Sequence, residues 1–189
     1  MDAVYLRQKH QAGLVYDDYM ATGTDQQQKN WREVYDRAAL TDAQQALLGD
    51  FVREIRVLAL SGIWCGDCSQ QMPIVQKIAE ASDGKVDLRW LDRDEHADLQ
   101  DKLMINAGKR VPVVVFAAED YEPVGWFGDK TLARYRAMAA NQLGPSCPMP
   151  GAAVPDSELA AVTSDWVDQF ERVHLLLRLS GRLRKLHGD

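Results

Sequence analysis

The 189-residue chain has few cysteines and lacks any long apolar run. Its three cysteines, Cys65, Cys68 and Cys147, are too few for a secreted fold held together by several disulfides. No apolar stretch approaches the roughly 18 residues that cross a membrane. The N-terminal stretch carries charges where a secretion signal needs an unbroken apolar segment. We therefore expect a cytoplasmic protein with no membrane partner.

The sequence also lacks a surplus of positive charge. It has 22 Lys and Arg against 28 Asp and Glu, a net charge of -6. Because nucleic acids and anionic membranes bind basic faces, neither is an expected partner. A composition of 46% hydrophobic and 26% charged residues is typical of a globular protein.

Hydrophobic patterning and turn residues divide the chain into four segments. Thr24–Gln27 and Thr41–Gln44 fit the capping box, in which a hydroxyl and a side chain three residues later satisfy each other's backbone amides. A run of prolines and glycines marks a loop, and apolar residues three and four apart near the C-terminus predict an amphipathic helix. The predicted segments, together one domain, are a helical N-terminal extension at 1–53, a core at 54–143, a proline-rich loop at 144–155 and a C-terminal helix at 156–189 packed on the core.

The predicted core alternates strands and helices and ends in a hairpin. A strand–helix–strand unit favours two parallel strands, and the hairpin adds antiparallel ones. We therefore predict an α/β fold whose mixed central sheet has helices on both faces. The predicted strands are Ile55–Ser61, Lys85–Asp92, Arg110–Ala117 and Val124–Phe127, and the helices are Cys65–Ala81, Glu95–Asn106 and Lys130–Asn141, the last capped by Asp129.

The chemistry of the sequence centres on Cys65 and Cys68. They form a C-x-x-C pair directly after a predicted strand, in the first turn of a predicted helix. Free backbone amides and the helix dipole stabilise an anion there, which lowers the pKa of a thiol. We expect Cys65 to attack a partner disulfide and Cys68, one turn deeper, to resolve the mixed disulfide.

Several residues around this pair match a known family. The segment WCGDC at Trp64–Cys68 resembles the W-C-G-P-C active site of the thioredoxin family, with Asp67 in place of the proline. Pro73 matches a proline inside the family's helix, Val111–Pro112 its cis-proline, and Gly128 the glycine after its last strand. The resemblance covers the predicted core and implies a thioredoxin-like three-layer fold with helical extensions at both ends. WCGDC with a helical N-terminal extension is similar to a bacterial subgroup of this family.

The resemblance implies a function and roles for individual residues. It implies a thiol–disulfide oxidoreductase that reduces protein disulfides through Cys65 and Cys68, with no cofactor beyond that dithiol. The amides of the Gly66–Asp67 turn would stabilise the thiolate, Trp64 would line the partner groove, and Val111–Pro112 would contact the substrate backbone. The implied partners are disulfide-containing proteins and a reductase that restores the dithiol.

Two departures from the family pattern change these expectations. The family carries a buried carboxylate six residues before the first cysteine, as proton acceptor for the resolving thiol, and this chain has Ala59 there. Asp67 and Asp92 are alternative acceptors. A carboxylate at Asp67 also disfavours a neighbouring thiolate. A less stabilised thiolate makes the disulfide more persistent, so we predict a reductant rather than a strong oxidant.

Other interpretations stay open at this stage. A zinc or iron–sulfur site needs about four ligands, of which Cys65 and Cys68 supply two. Cys147 and a histidine would have to complete the set, and no histidine has ligand spacing, so we predict no metal. The chain is alternatively a thioredoxin-fold binding module with little redox activity. Cys147 is expected to be an inert buried thiol, the alternative being a third redox thiol.

Overall fold

A computed structural model describes residues 1–143 and 155–189. Within these ranges the helices are α1 (Ala3–Ala12), α2 (Tyr16–Ala21), α3 (Asp25–Arg37), α4 (Asp42–Gly49), α5 (Gly66–Ala81), α6 (Ala97–Gln100), α7 (Leu132–Leu143), α8 (Asp156–Arg178) and α9 (Gly181–His187). The strands are β1 (Ile55–Ser61), β2 (Val86–Asp92), β3 (Val113–Ala118) and β4 (Pro123–Gly128). No helix among the described residues is both long and apolar enough to cross a membrane.

The four strands form one mixed sheet in the order β2-β1-β3-β4. β1 runs parallel to β2 and antiparallel to β3, and β4 pairs antiparallel with β3 as the predicted hairpin. α5 connects the two parallel strands, as the strand–helix–strand pattern requires. The predicted mixed sheet is confirmed, with β1 buried at its centre.

Helices cover both faces of this sheet. On β2, Trp90 faces α5, because its indole nitrogen donates to the Gln76 side chain at 3.3 Å. Successive strand residues point to opposite faces, so Asp87 points the other way. There its carboxylate lies 3.6 Å from His10 of α1. The three layers are therefore α1, the sheet, and α5 with its neighbours.

The N-terminal helices pack against the side of α5. Both predicted capping boxes are present, at the starts of α3 and α4. Trp31 of α3 and Tyr19 of α2 meet Trp90 of the sheet, with ring centroids 5.8 and 5.4 Å apart. The Trp31 indole also donates to the Ile63 carbonyl at 3.0 Å, just before the cysteine pair. The extension therefore supports the segment that leads into α5.

The C-terminal helix α8 packs on the same face as α5. Phe170 meets Phe116 of β3 at 5.1 Å between ring centroids, and Trp166 meets Phe127 of β4 at 5.0 Å. Truncating a buried Phe or Trp side chain to Ala costs about 3–5 kcal/mol, so these two aromatic contacts contribute substantially to the free energy of unfolding. The apolar stripe predicted from the sequence is buried throughout, at Leu159, Val162, Trp166, Phe170, Val173 and Leu177.

Two helix predictions were wrong in extent. The C-terminal helix predicted at 156–189 ends at Arg178, and a separate helix, α9, begins at Gly181. The predicted helix at Glu95–Asn106 is reduced to the four residues Ala97–Gln100. The end of the predicted range is not helical, because Asn106 and Ala107 adopt left-handed backbone angles, with φ of 47° and 56°. The third strand also starts later than predicted, at Val113, after a proline that has no amide to donate to the sheet.

Asp129 does not cap α7 as predicted. The Arg134 amide donates to the Thr131 hydroxyl at 3.3 Å, and the Ala133 amide donates to Asp165 of α8 at 2.6 Å. The Asp129 carboxylate instead binds Tyr135, Lys130 and Arg110. The proline-rich loop before Pro155, with Cys147, lies outside the described residues.

The close packing between Gly128 and the segment before β3 can be tested by substitution. Gly128 pairs with Val113, and a Cβ added at Gly128 would lie 2.4 Å from the Pro112 carbonyl oxygen. Because that oxygen belongs to backbone, we expect Gly128→Ala to lower the free energy of unfolding by about 1–3 kcal/mol in denaturant titrations of the reduced protein. Gly49→Ala is the control, because nothing lies within 4 Å of its added Cβ. Equal stability of both variants would contradict the packing described.

Candidate active site

The two cysteines lie where β1 passes into α5. β1 ends at Ser61, and Cys65 is the N-cap of α5, with extended backbone angles of φ -81° and ψ 125°. The Cys65 amide donates to the Gly62 carbonyl at 2.9 Å, which closes the turn. Both thiols are free, with Cys65 half-buried and Cys68 fully buried. The pair therefore combines an accessible thiol with an inaccessible one.

The environment of Cys65 favours its thiolate. A hydrogen bond from the Cys68 thiol is the largest influence on its pKa, and burial opposes it. Hydrogen bonds from the amides of Cys68 and Asp67 lower the pKa further, whereas the Asp67 charge raises it. The balance lowers the pKa of Cys65 to about 6. The stabilising amides lie one residue further along the chain than the Gly66–Asp67 turn of the sequence prediction.

The environment of Cys68 has the opposite effect. Burial raises the pKa of its thiol well above the ordinary value, and the hydrogen bond with Cys65 and the charge of Cys65 raise it further. The Ser61 hydroxyl and the Gly62 amide lower it. Cys68 therefore stays protonated while Cys65 ionises, and its thiol proton stabilises the Cys65 thiolate.

The segment before β3 lies beside the cysteines. The Val111–Pro112 peptide bond is cis, as the resemblance implied. The Val111 carbonyl oxygen lies 4.0 Å from Cys65 Sγ, although the two residues are 46 positions apart. The main chain of Val111 therefore flanks the thiol that is open to solvent.

Trp64 and Gly66 border the exposed side of Cys65. The Trp64 side chain is 52% exposed, and the Arg93 guanidinium lies 5.5 Å from its ring centroid. Gly66 is exposed, and a Cβ added to it would meet nothing within 4 Å. Both residues border open space next to the half-buried thiol.

Asp67 belongs to an ion-pair network that the sequence analysis missed. Its carboxylate lies 2.9 Å from Lys130 Nζ and 3.9 Å from Arg134 Nε. The Arg134 guanidinium also forms an ion pair with the Glu158 carboxylate of α8, at 2.6 Å. Two cations therefore neutralise much of the charge that Asp67 places beside the thiols. No local motif marks Lys130 or Arg134, because both lie more than sixty residues from Asp67.

Asp129 anchors the other side of this network. It is buried, at 2% exposure, and binds Lys130 at 3.1 Å and Arg110 at 3.2 Å. Burial pushes its pKa up, but hydrogen bonds from Tyr135, Lys130 and Arg110 hold the pKa at about 2. Arg110 directly precedes Val111–Pro112. The network therefore links the first turn of α5 to the segment that flanks Cys65.

The two carboxylates considered as proton acceptors both have other polar partners. Asp67 is paired with Lys130. Asp92 lies beside Ser61 in the strand register, but its carboxylate accepts a hydrogen bond from the Asp94 amide at 2.8 Å. Ala59, at the position of the family's carboxylate, is fully buried opposite Trp90 and Val114.

Within residues 1–143 and 155–189, no three His, Cys, Asp or Glu side chains lie together so as to hold a metal ion. Cys147, which the metal hypothesis required, lies outside these ranges. The hypothesis that Cys147 is a third redox thiol therefore also concerns a residue outside the described part of the chain.

Comparisons with known proteins agree with this fold. A family model described as thioredoxin matches residues 13–139. The match spans more than half of the chain, so the protein belongs to this thioredoxin family. It begins within the segment predicted as an N-terminal extension. A search of curated proteins found no match.

Two solved structures resemble most of the chain. A protein of unknown function from Pseudomonas aeruginosa has a TM-score of 0.66 and 18% identity, covering 85% of this chain and 93% of that chain. An HIV epitope scaffold has a TM-score of 0.63 and 15% identity, covering 85% and 96%. At these identities the likeness concerns the fold alone.

The network around Asp67 predicts opposite shifts in the pKa of Cys65. Asp67→Asn removes the raising charge and should lower that pKa by about half a unit. Lys130→Met leaves Asp67 without its nearest cation and should raise it by a similar amount. The measurement is the rate of Cys65 alkylation by iodoacetamide against pH, with a wild-type midpoint of about 6.

The matched control for these variants is Asp36→Asn, which removes an exposed carboxylate of α3 and should leave the midpoint unchanged. Shifts of the same sign in Asp67→Asn and Lys130→Met would contradict the electrostatic account.

Proposed function

We propose that the protein is a thiol–disulfide oxidoreductase that reduces protein disulfides through Cys65 and Cys68. The observation that carries the proposal is the unequal pair of thiols at the N-terminus of α5. Cys65 is accessible with its pKa lowered to about 6, and Cys68 is buried with its pKa raised. A thiolate at neutral pH next to a protonated reserve thiol suits stepwise disulfide exchange.

The proposed reaction has two steps. The Cys65 thiolate attacks one sulfur of a substrate disulfide; the substrate bond breaks, and the departing sulfur takes up a proton. Cys68 then loses its proton and attacks Cys65 Sγ, which releases the second substrate sulfur. The substrate gains two electrons and two protons, and the protein is left with a Cys65–Cys68 disulfide. A reductase must then return two electrons, and no cofactor is needed beyond the dithiol.

Substrate binding is proposed at the exposed side of Cys65. The main chain of Val111, 4.0 Å from the sulfur, is available to pair with an extended peptide as in strand addition. Trp64 offers an exposed aromatic surface beside the thiol. A disulfide-containing protein segment is therefore the proposed substrate class.

The pKa of Cys65 supports the direction of reduction. Thiols of reducing thioredoxins have a pKa of about 7, whereas that of a strong periplasmic oxidant is about 3.5. A pKa of about 6 for Cys65 is nearer to the reducing proteins. We further propose that the reaction takes place in the cytoplasm, where protein thiols are kept reduced. We also propose membership of the bacterial WCGDC subgroup, which the Trp64–Cys68 sequence and the N-terminal helices support.

A trapping experiment tests the proposed exchange. In Cys68→Ser the second step is blocked, so mixed disulfides should accumulate on Cys65 and be identified by mass spectrometry of lysate captures. Cys65→Ser is the control, because it removes the nucleophile and should capture nothing. Equal captures by the two variants would overturn exchange with protein disulfides.

Insulin reduction by dithiothreitol separates the enzyme from a binding module. We expect the wild-type protein to accelerate insulin precipitation, and both single-cysteine variants to lose most of that acceleration. A wild-type rate equal to the uncatalysed rate, with both thiols free, would favour a thioredoxin-fold binding module instead.

A further inference from the structure

The second step of the proposed reaction requires Cys68 to lose a proton in a fully buried position. While Cys65 is a thiolate, the Cys68 thiol donates to it, but this acceptor is lost when Cys65 enters a mixed disulfide. The usual carboxylate is absent, because its position holds Ala59, buried against Trp90 and Val114. Some other group must therefore stabilise the Cys68 thiolate.

Ser61 lies at the position from which such a group would act. It is two residues after Ala59 on β1 and therefore points to the same face of the sheet. Its side chain is fully buried, and its hydroxyl lies against the Cys68 thiol. Among the described residues this hydroxyl makes no hydrogen bond of regular geometry, so it is not committed to another partner.

Tyr19 of α2 lies behind Ser61. Its phenol hydroxyl reaches the Ser61 side chain, is fully buried and likewise has no regular hydrogen bond among the described residues. The ring is held by Trp90, stacked at 5.4 Å between centroids, and by Trp31 at 5.6 Å. Two buried hydroxyls therefore form a row that ends at the resolving sulfur.

We propose that Tyr19 and Ser61 form a hydroxyl relay that stabilises the Cys68 thiolate during resolution of the mixed disulfide. Ser61 donates its hydroxyl proton to Cys68 Sγ, and Tyr19 donates to Ser61 Oγ. Ser61 touches a reacting atom, whereas Tyr19 is a positioning residue that acts through Ser61. The inference rests on the proposed oxidoreductase function and assigns the groups that stabilise the Cys68 thiolate in a site that lacks the family's carboxylate.

The relay works by donation and not by ionisation. Burial raises the pKa of Tyr19 above its ordinary value, so its hydroxyl stays protonated, and a serine hydroxyl does not ionise near neutral pH. Hydroxyl protons rotate, so Ser61 can accept from the Cys68 thiol and donate to its thiolate. Two charged groups act on these hydroxyls and on Cys68. The charge of Cys65 raises the pKa of Cys68, and the charges of Asp92 and Cys65 raise the pKa of Tyr19.

The atoms balance without an external reagent. The Cys68 thiolate forms a bond to Cys65 Sγ, and the bond from Cys65 to the substrate sulfur breaks. The proton that Cys68 loses is matched by the proton that the departing substrate sulfur takes up. The relay lowers the energy of the charged intermediate, and no oxidant, reductant or net base is consumed.

Stopped-flow reaction of the reduced protein with an aromatic disulfide such as dithiobis-nitrobenzoate tests the relay. Attack by Cys65 releases one thionitrobenzoate, and resolution by Cys68 releases a second. At a pH of about 6, near the pKa of Cys65, burial keeps the Cys68 thiol protonated, so we expect the second release to be the slower phase. In Ser61→Ala we expect the first phase unchanged and the second roughly tenfold slower, as for loss of a hydrogen bond to a charge.

Tyr19→Phe should slow the second phase less, because it removes only the outer donor. The pH dependence of that phase should move to higher pH in both variants. Tyr16→Phe is the matched control: its hydroxyl is also buried without a regular partner, on the same helix, but it does not reach Ser61. We expect both phases to be unchanged in that variant.

The two hypotheses fail differently in this experiment. An unchanged second phase in Ser61→Ala and in Tyr19→Phe would overturn the relay and leave the oxidoreductase in place. A first phase no faster than that of an ordinary thiol would overturn the oxidoreductase, and the relay with it. Denaturant titration accompanies each variant, and if Ser61→Ala does not fold, Tyr19→Phe against Tyr16→Phe decides the question.

Discussion

The site depends on one hydrogen bond, from the buried Cys68 thiol to the half-buried Cys65 sulfur. It is the largest influence lowering the pKa of Cys65, and the same contact raises the pKa of Cys68. The first turn of α5 produces this bond, because a C-x-x-C spacing places the second thiol one turn behind the first. The sheet then determines which thiol is exposed, since α5 packs with Cys68 towards β1 and Cys65 towards the Val111 carbonyl.

The N-terminal helices are part of the same arrangement. Trp31 donates to the Ile63 carbonyl, and a Cβ at Gly23 would lie 2.6 Å from the Ile63 side chain, so the turn between α2 and α3 presses on the segment before the cysteines. Tyr19 reaches the Ser61 side chain from the same direction. The N-terminal helices therefore pack behind the cysteine pair, on the side away from the exposed Cys65 thiol. The family match includes most of these helices, since it begins at residue 13.

The parts predicted from the sequence are those with local signals. Apolar runs located β1 within its observed bounds, capping boxes located α3 and α4, and the spacing of Leu159 to Leu177 located the buried face of α8. Val111–Pro112 was found by resemblance, because nothing in its own neighbourhood indicates a position beside Cys65. The helix at Glu95–Asn106 was predicted too long, because an apolar pattern does not reveal where the helical backbone ends and turns begin.

Contacts between residues far apart in the sequence could not be predicted from local patterns, and the ion pairs of Asp67 are the clearest example. As a bare carboxylate next to two thiols it was expected to oppose ionisation of Cys65, and its charge does raise the pKa. Lys130 and Arg134, which no motif connects to Asp67, pair with that charge, and the pKa still falls to about 6. The replacement of the family's proline by Asp67 therefore couples the thiols to α7 and α8, and the electrostatics of the site depend on elements far away in the sequence.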